Sequence, residues 1–245
     1  MGVTHHGRTY RLDLADPSLR EWQCTVLQSD AEQGIVLDKS AFYPGGGGQP
    51  PDHGVLLWNG VQTRISGTRK GDDLYLIPEP GDPLPPVGVE VTGAVEDQRR
   101  SLLMRTHSGL HVLCGVVFRD FGALVTGGNM EPGEARMDFN LPEVPTDFKA
   151  RLEELVNAEV TADRAVTVKV LPRDEALALP DIIRTQSNLI PADEEEIRIV
   201  DINGLDVQAD GGTHVASTSQ VGKITVVKVE SKGKANRRVR VRLVD

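Results

Sequence analysis

Two pairs of residues in the sequence have the spacing that a metal site needs. His107 and His111 lie four residues apart in THSGLH, and Asp210 and His214 have the same separation in DGGTH. On a helix, side chains at i and i+4 share a face, so the first two imidazoles could reach one ion. The glycines of the second segment tolerate backbone conformations that could turn both of its side chains inward. Imidazole and carboxylate are ligands that suit zinc, so we predict that these four residues bind a metal ion.

Each pair has a plainer interpretation when it is taken alone. The histidine pair could be a polar strip that hydrogen-bonds to its neighbours, and DGGTH could be a surface turn in which Asp210 caps the backbone. Cys114 competes for a place among the ligands, because it follows His111 by three residues and thiolates bind zinc well. It would point one turn away from the centre that the histidines share, so we interpret Cys114 as a core residue.

A long helix must carry the histidine pair. Residues 97 to 122 place apolar and histidine side chains at steps of three and four residues, which is the period of one helix face. This face contains Leu103, His107, Leu110, His111, Cys114 and Phe118. Gly122 is a natural stop for the helix. DGGTH instead follows a predicted strand in EIRIVDINGLDV, so a loop must bring the second pair to the helix.

The chain changes character near residue 90. Short apolar or alternating runs precede this point, and they predict the strands of a small barrel or sandwich. These runs are QCTVLQ, GIVLD, HGVLLWNG, VQTRIS and DLYLIP. The proline-rich segment IPEPGDPLPPVGVEV follows, and we place a domain boundary between residues 90 and 96. Beyond it, a second helix near residues 146 to 163 and several strands predict an α+β domain.

Composition limits the function classes. Of the 245 residues 39% are hydrophobic, and no apolar run approaches the roughly 20 residues of a membrane span, so we predict a globular protein without a membrane partner. The amino terminus lacks a secretory signal, and Cys24 and Cys114 are too few for a disulfide framework, so we expect a cytoplasmic location. The net charge of -9 argues against indiscriminate binding to nucleic acid, although six basic residues between Lys232 and Arg242 form a local exception.

These motifs in this order resemble the AlaX family of freestanding editing proteins, which is related to the editing domain of alanyl-tRNA synthetase. The likeness covers nearly the whole chain and includes FYPGGGGQ (42–49), RSLLMRTHSGLHVL (100–113), EARMDFNL (134–141), IRIVDINGLDVQADGGTHV (197–215) and the SKGKANRRV ending. Length and an N-terminal β domain resemble the medium-sized class. The resemblance implies an α+β protein with a small N-terminal β barrel, residues 1–95. An editing domain with a mainly antiparallel sheet, residues 96–245, would follow it.

The resemblance also implies a trans-editing deacylase that hydrolyses mischarged Ser-tRNA(Ala), with Gly-tRNA(Ala) as a second candidate substrate. In that family two histidines of HxxxH and the cysteine and histidine of CGGTH hold zinc, and they correspond here to His107, His111, Asp210 and His214. Asp210 therefore occupies the cysteine position. A carboxylate donates less charge than a thiolate and can bind through one oxygen or shift away, so the site could open for a water more readily and could prefer another divalent metal. Asp210 is either a ligand or the base that receives the proton of that water.

Other residues are predicted to contact the substrate. The resemblance places a polar residue of the strand after the HxxxH helix near the substrate side chain, and Thr126 has that place here; its hydroxyl would hydrogen-bond to a seryl hydroxyl. The glycine-rich loop would bring Gln49 to the cleft, or would simply be a bulged β turn. The tRNA acceptor end would contact basic residues, or these would form a solvated surface. They are Arg99, Arg100, Arg105, Lys232, Lys234, Arg237 and Arg238.

Two other functions stay open at this point. The same ligands could serve a hydrolase of small esters or amides, whose activity would not respond to salt or to changes at Arg237 and Arg238. The chain could also be a noncatalytic RNA-binding module with a structural metal. Removal of the metal would then unfold the chain, and its return would not produce deacylation.

Overall fold

The computed structural model describes residues 5–187, 190–192 and 194–244. The strands are, in chain order, β1 (His5–His6), β2 (Thr9–Arg11), β3 (Glu21–Asp30), β4 (Gly34–Leu37), β5 (Lys39–Ser40), β6 (Gly54–Trp58), β7 (Val61–Lys70), β8 (Leu74–Pro78), β9 (Glu90–Val95), β10 (Val125–Glu131), β11 (Glu134–Phe139), β12 (Val166–Pro172), β13 (Glu196–Ile202), β14 (Asp206–Ala209), β15 (Lys223–Ser231) and β16 (Arg237–Val244). The α-helices are α1 (Leu12–Ala15), α2 (Asp97–Phe121), α3 (Phe148–Thr161) and α4 (Arg173–Leu177), and Thr218–Val221 forms a 3-10 helix. None of the helices in the described ranges combines the length and apolar character that a membrane-spanning segment requires. The chain divides into two compact units between Ser101 and Leu102.

Strands of the first unit close into a barrel with the order β3-β4-β8-β7-β6-β9, and every neighbouring pair is antiparallel. Buried and exposed side chains alternate along β3: Trp22, Cys24 and Val26 are buried, while Glu21 and Gln23 are exposed. A strand with this period of two faces a core on one side and solvent on the other. Closure into a barrel also leaves no unpaired edge. The predicted small barrel is confirmed, and the sandwich alternative is wrong.

The glycine-rich segment of the first unit forms a tight turn. Gly45 to Gly48 all have φ angles between 57° and 133°, a region that side-chain-bearing residues rarely adopt. Gly46 and Gln49 exchange two backbone hydrogen bonds of 3.0 and 2.9 Å, and the Tyr43 hydroxyl donates to the Gly46 carbonyl at 2.9 Å. These contacts support the interpretation of a bulged β turn, in which glycine is needed for its backbone freedom.

Two antiparallel sheets build the second unit, with the orders β10-β11-β16-β15 and β12-β13-β14. Helix α3, predicted near residues 146 to 163, packs against β15 and places an apolar stripe in the core. Phe148, Leu152, Val156 and Val160 are buried in this stripe, and Leu155 is partly buried beside them. The predicted α+β fold with a mainly antiparallel sheet is confirmed.

Helix α2 ends one residue before the predicted stop. Gly122 has a φ angle of 65°, and its N–H donates to the Phe118 carbonyl at 3.0 Å, a helix-terminating geometry that suits glycine. The helix begins a few residues before the division between the two compact units. We keep the predicted boundary between residues 95 and 96 as a proposal for the functional domains.

Candidate metal centre

The structure brings the four predicted ligands together within the second unit. His107 and His111 lie on successive turns of α2, and Asp210 and His214 lie in the loop that follows β14. One ligand atom from each residue lies within 4.8 Å of those of the others. Metal–ligand bonds of about 2 Å place neighbouring ligand atoms about 3.3 Å apart in a tetrahedral site. Small side-chain movements would therefore bring all four donors to one divalent ion, and the donor set fits zinc.

The four side chains share one compact cluster. Imidazole ring centres lie 4.4 Å apart for His107 and His214, 4.8 Å for His111 and His214, and 5.2 Å for His107 and His111. Asp210 Oδ1 lies 3.5 Å from His107 Nε2, and Asp210 Oδ2 lies 3.0 Å from His214 Nε2. The histidines are buried, and the Asp210 side chain is 10% exposed. Two imidazole nitrogens thus converge on the two oxygens of one carboxylate.

Burial sets the protonation states of this cluster. It lowers the pKa of His107 well below the ordinary value and the pKa of His214 to about 4. Burial also opposes the ionisation of Asp210, but the interactions with His107 and His214 outweigh it, so the pKa of Asp210 lies well below that of an ordinary carboxyl group. Near neutral pH these residues present unprotonated nitrogens and an ionised carboxylate, which are the states that metal binding requires.

A second buried carboxylate, Asp206, contacts His111, the remaining histidine of the cluster. His111 Nδ1 lies 3.0 Å from Asp206 Oδ2, and the Gln208 side-chain amide donates to the same oxygen at 2.6 Å. Arg184 Nε donates to Asp206 Oδ1 at 3.2 Å. Burial opposes protonation of His111, but the hydrogen bond with Asp206 and the charges of Asp206 and Asp210 together outweigh it and raise the pKa of His111 above its ordinary value.

None of these three neighbours is predicted by the sequence motifs. A signal was nevertheless present, because Asp206, Gln208 and Asp210 alternate along the chain and alternate residues of a strand point to the same face. Arg184 had no comparable signal, since it lies in an irregular segment between α4 and β13.

Ser108 joins the helix to the loop that carries His214. Its Oγ lies 3.2 Å from His214 Nδ1 and accepts the Val215 N–H at 3.1 Å. A hydroxyl oxygen has two lone pairs, so Ser108 can accept both hydrogen bonds when His214 carries its proton on Nδ1. That tautomer leaves the His214 Nε2 atom, which faces Asp210, available as a ligand.

The loop holds Asp210 through both its backbone and its carboxylate. The Asp210 N–H donates to the Arg198 carbonyl at 3.1 Å, and Arg198 Nη1 donates to the Asp210 carbonyl at 2.9 Å. The Gly212 N–H donates to Asp210 Oδ2 at 2.6 Å. Asp210 therefore caps the backbone of the loop and also lies among the candidate metal ligands, so the two interpretations of this residue do not exclude each other. Gly211 does not adopt a positive φ angle, and a Cβ added there would meet no described atom within 4 Å. The loop therefore turns Asp210 toward the histidines without using the conformational freedom of Gly211.

Cys114 packs in the core, as its position on α2 predicts. It is 2% exposed in the apolar cluster of the second unit, and the Gln208 amide donates to its Sγ at 3.4 Å. Burial raises the pKa of the Cys114 thiol well above its ordinary value, which disfavours the thiolate that zinc would bind. Cys24 lies in the barrel core, where burial raises its thiol pKa to about 12.

Arg100, predicted to contact tRNA, lies in the interior of the first unit. Its side chain is 0% exposed and forms an ion pair with Asp52, which also accepts the Tyr43 N–H at 2.7 Å. Arg100 further donates to the carbonyls of Pro17 at 2.8 Å and Ala41 at 2.5 Å. A guanidinium that is buried and bonded in this way has no surface to offer a phosphate, so we withdraw Arg100 as a tRNA contact.

The other predicted contacts on α2 are partly exposed. Arg99 donates to the Pro51 carbonyl at 3.0 and 3.2 Å, and Arg105 donates to the Val221 carbonyl at 3.0 Å. These bonds use part of each guanidinium fork, which has five N–H donors. Both arginines keep their predicted role as a proposal.

The C-terminal basic residues differ in how far their charge is neutralised. Lys232 and Lys234 are exposed between β15 and β16, and neither forms an ion pair within the described part of the chain. Arg238 instead forms two hydrogen bonds of 2.7 Å with Asp138, and Arg237 donates to a backbone carbonyl. The two lysines are therefore better placed than Arg238 to bind a phosphate.

Thr126 and Gln49 lie in different surroundings. Thr126 is exposed on β10, at an irregularity where the pairing with β11 shifts between Val125 and Gly127. Gln49 is 2% exposed and follows the glycine turn of the first unit. The role of Thr126 in substrate selection and that of Gln49 in substrate binding stay predictions.

The chain is similar in sequence to known proteins over nearly its whole length. The family described as threonyl and alanyl tRNA synthetase second additional domain matches residues 197–240, which include all of β13 but its first residue, β14 and the DGGTH loop. The chain is 38% identical over 239 residues to the alanyl-tRNA editing protein AlaX-M of Saccharolobus solfataricus, covering 94% of this chain and 97% of that protein. It is 31% identical over 244 residues to the AlaX-M protein of Methanosarcina mazei, covering 97% of each. An alanine–tRNA ligase of Pyrobaculum neutrophilum is 38% identical over 230 residues, which are 91% of this chain and 25% of the ligase.

Fold and site together thus define a relative of synthetase-associated editing domains, and the chain spans about a quarter of the ligase that it matches. The near-complete match to the freestanding proteins is more specific. The chain belongs to the AlaX-M family of alanyl-tRNA editing proteins, as its motifs predict.

Proposed function

We propose that this protein is a trans-editing aminoacyl-tRNA deacylase that depends on a divalent metal ion, with zinc as the first candidate. Its substrate is Ser-tRNA(Ala), with Gly-tRNA(Ala) as the second candidate, and its partner is the acceptor end of tRNA(Ala). The observation that carries the proposal is the buried group of His107, His111, Asp210 and His214, with ligand atoms within 4.8 Å of one another. The names of the relatives, alanyl-tRNA editing proteins, support the substrate class.

Ester hydrolysis needs a water nucleophile and a means to stabilise charge on the carbonyl oxygen. A bound divalent ion supplies both, since it polarises the carbonyl and lowers the pKa of a water. His107 and His214 suit this role because burial keeps them unprotonated. The ionised Asp210 has two oxygens near two different histidines, so it can act as a ligand or accept the proton of the water.

Selection of the amino acid is assigned to Thr126, and Gln49 is assigned to binding of the substrate. A threonine hydroxyl can hydrogen-bond to a seryl hydroxyl, whereas an alanyl methyl group offers it no partner. Phosphates of the acceptor stem are assigned to Arg99, Arg105 and the C-terminal basic residues Lys232, Lys234, Arg237 and Arg238. Lys232 and Lys234 are the strongest candidates for phosphate contacts because they are exposed. A cytoplasmic location is part of this proposal.

Deacylation assays with Ser-tRNA(Ala), Gly-tRNA(Ala) and Ala-tRNA(Ala) test the proposal. We expect His214→Ala and Asp210→Ala to lose about 100-fold or more of the native rate on Ser-tRNA(Ala). His5→Ala is the matched control, because His5 is an exposed histidine of the first unit. Native rates in both site variants would refute the ligand assignment.

Asp210→Cys separates the two roles of Asp210. A thiolate can replace a carboxylate ligand, so this variant should keep both metal and activity if Asp210 acts only as a ligand. If Asp210 must accept a proton, the variant should keep the metal but lose rate. A free-ester activity that does not respond to salt or to Arg237→Ala would favour the alternative of a small-ester hydrolase. Unfolding on metal removal, without deacylation when metal returns, would favour an RNA-binding module.

A further inference from the structure

Asp206 is a buried carboxylate with a fixed set of partners. It is 1% exposed, and its Oδ2 atom faces both His111 Nδ1 at 3.0 Å and Gln208 Nε2 at 2.6 Å. Its Oδ1 atom accepts Arg184 Nε at 3.2 Å. A buried carboxylate is costly unless it is paired and hydrogen-bonded, and Arg184 provides the opposite charge.

Arg184 is itself held by two other elements. Its guanidinium lies 3.7 Å from the ring centre of Phe118 on α2, a distance at which the cation and the aromatic face attract. Its backbone carbonyl accepts the Val125 N–H at 2.8 Å, and the Gln186 N–H donates to the Val125 carbonyl at 2.8 Å. Strand β10 and helix α2 therefore both fix the position from which Arg184 reaches Asp206.

The contact with Asp206 defines the orientation of one imidazole. An ionised carboxylate only accepts hydrogen bonds, so the His111 proton must lie on Nδ1, the nitrogen that faces Asp206. Nε2 is then the nitrogen that remains for an ion. His214 has a different partner on Nδ1, the Ser108 hydroxyl, so the carboxylate partner distinguishes His111 from His214.

We propose that Asp206 and Arg184 are positioning residues that hold His111 with Nε2 toward the centre shared with His107, Asp210 and His214. Asp206 fixes the tautomer and the ring plane, and Arg184 fixes Asp206. Partners of this kind on metal-binding histidines raise the basicity of the ligand and restrict its rotation. The inference rests on the metal site of the proposed function but not on the identity of the substrate.

Metal affinity is the direct test. Co²⁺ binding to the purified full-length protein would be followed by absorption and by competition with a chelator, for the native chain and for Asp206→Asn and Arg184→Lys. We expect Asp206→Asn to weaken Co²⁺ binding about 10- to 100-fold, as is typical when such a partner is removed. Arg184→Lys keeps the charge but loses the forked donor, so we expect a smaller loss. Asp201→Asn is the matched control, because Asp201 lies on β13 in the neighbouring register position, on the opposite face of the sheet.

A spectroscopic readout separates positioning from general destabilisation. In the ¹⁵N-labelled zinc-loaded native protein, His111 should show a proton on Nδ1 that is protected from exchange, and Asp206→Asn should lose that protection while circular dichroism stays native. Native Co²⁺ affinity in Asp206→Asn would overturn the inference, as would an unchanged His111 signal. If Asp206→Asn does not fold, Arg184→Lys decides by the same two measurements.

Failure of the proposed function gives a different result. A native protein that binds Co²⁺ and responds to Asp206→Asn, but deacylates no tRNA, would refute the proposed activity and leave the positioning role intact. A native protein that deacylates Ser-tRNA(Ala), with Asp206→Asn unchanged in Co²⁺ affinity, would refute only the positioning role.

Discussion

The buried ion pair of Arg100 and Asp52 predicts how the barrel unit will respond to one substitution. Both side chains are almost fully buried, at 0% and 1% exposure. Arg100→Met would remove the guanidinium while keeping a long unbranched side chain. Asp52 would lose its countercharge, and the carbonyls of Pro17 and Ala41 would lose a donor. The damage is therefore electrostatic and not a matter of volume.

The size of the effect follows from the partners that the substitution removes. Breaking a buried ion pair from one side costs about 3–5 kcal/mol. Each buried carbonyl left without a donor costs about 1–3 kcal/mol, although such costs are not additive in one network. We expect Arg100→Met to lower the free energy of unfolding of the barrel unit by about 4–6 kcal/mol. Since a domain has only about 5–15 kcal/mol in total, this substitution would remove a large fraction of the stability of the unit.

Tryptophan fluorescence during urea unfolding measures this unit alone. Both tryptophans of the sequence, Trp22 and Trp58, lie in barrel strands β3 and β6. The matched control is Arg64→Met in the same barrel, because Arg64 pairs with Asp82 but is 59% exposed, and exposed pairs contribute little. A loss below about 1 kcal/mol in Arg100→Met, the range of an ordinary hydrogen bond, would refute the reasoning and return Arg100 to the candidates for tRNA binding.

Two further predictions concern acid and salt. The free energy of unfolding of the metal-free protein should fall as the pH falls from 6.5 to about 4. Imidazoles of the unfolded chain take up protons near pH 6.5, whereas folded His214 takes up its proton only near pH 4. The pKa of folded His107 is also well below its ordinary value. His111, whose pKa is raised, opposes this trend only near pH 6.5 and is protonated in both states in the lower part of the window. Urea unfolding followed by circular dichroism measures the stability, and a flat or rising profile as the pH falls would contradict the prediction. Lys232→Ala with Lys234→Ala should weaken tRNA binding and reduce the slope of log affinity against log salt by about 1 for each phosphate that the protein no longer neutralises, measured by filter binding. An unchanged slope would exclude the two lysines from the interface.

Local periodicity was sufficient to predict the elements that carry the site. The helix face with His107 and His111 repeats every three or four residues, and this pattern depends only on neighbours along the chain. Arg99 and Arg100 show where such reasoning stops. They are adjacent and identical in type, yet Arg99 is partly exposed and Arg100 is buried. Arg100 is buried because it pairs with Asp52, which lies 48 residues away in the sequence. No local pattern distinguishes them, since the difference is created by tertiary packing.

The register of β14 explains how one short segment supplies both Asp206, which contacts His111, and Asp210, a candidate ligand. Asp206 pairs with Ile202 and Gln208 pairs with Val200, so both side chains share a face with Asp210 two positions further on. A slip of one residue would turn all three away from the histidines, which makes the pairing of β13 and β14 as necessary as the ligands themselves.

The charges of the two carboxylates on that face, Asp206 and Asp210, are neutralised to different extents. Asp206 has a protein cation, Arg184, at hydrogen-bond distance from its carboxylate. In the described part of the chain, the Asp210 side-chain oxygens face His107, His214 and the Gly212 N–H, and Arg198 donates to the Asp210 backbone carbonyl. Two of these neighbours are neutral imidazoles near pH 7, because burial lowers the pKa of both. Of the two carboxylates, Asp210 is therefore the one that lacks a protein cation on its side-chain oxygens among the described residues, and it is the one whose charge a divalent ion would neutralise.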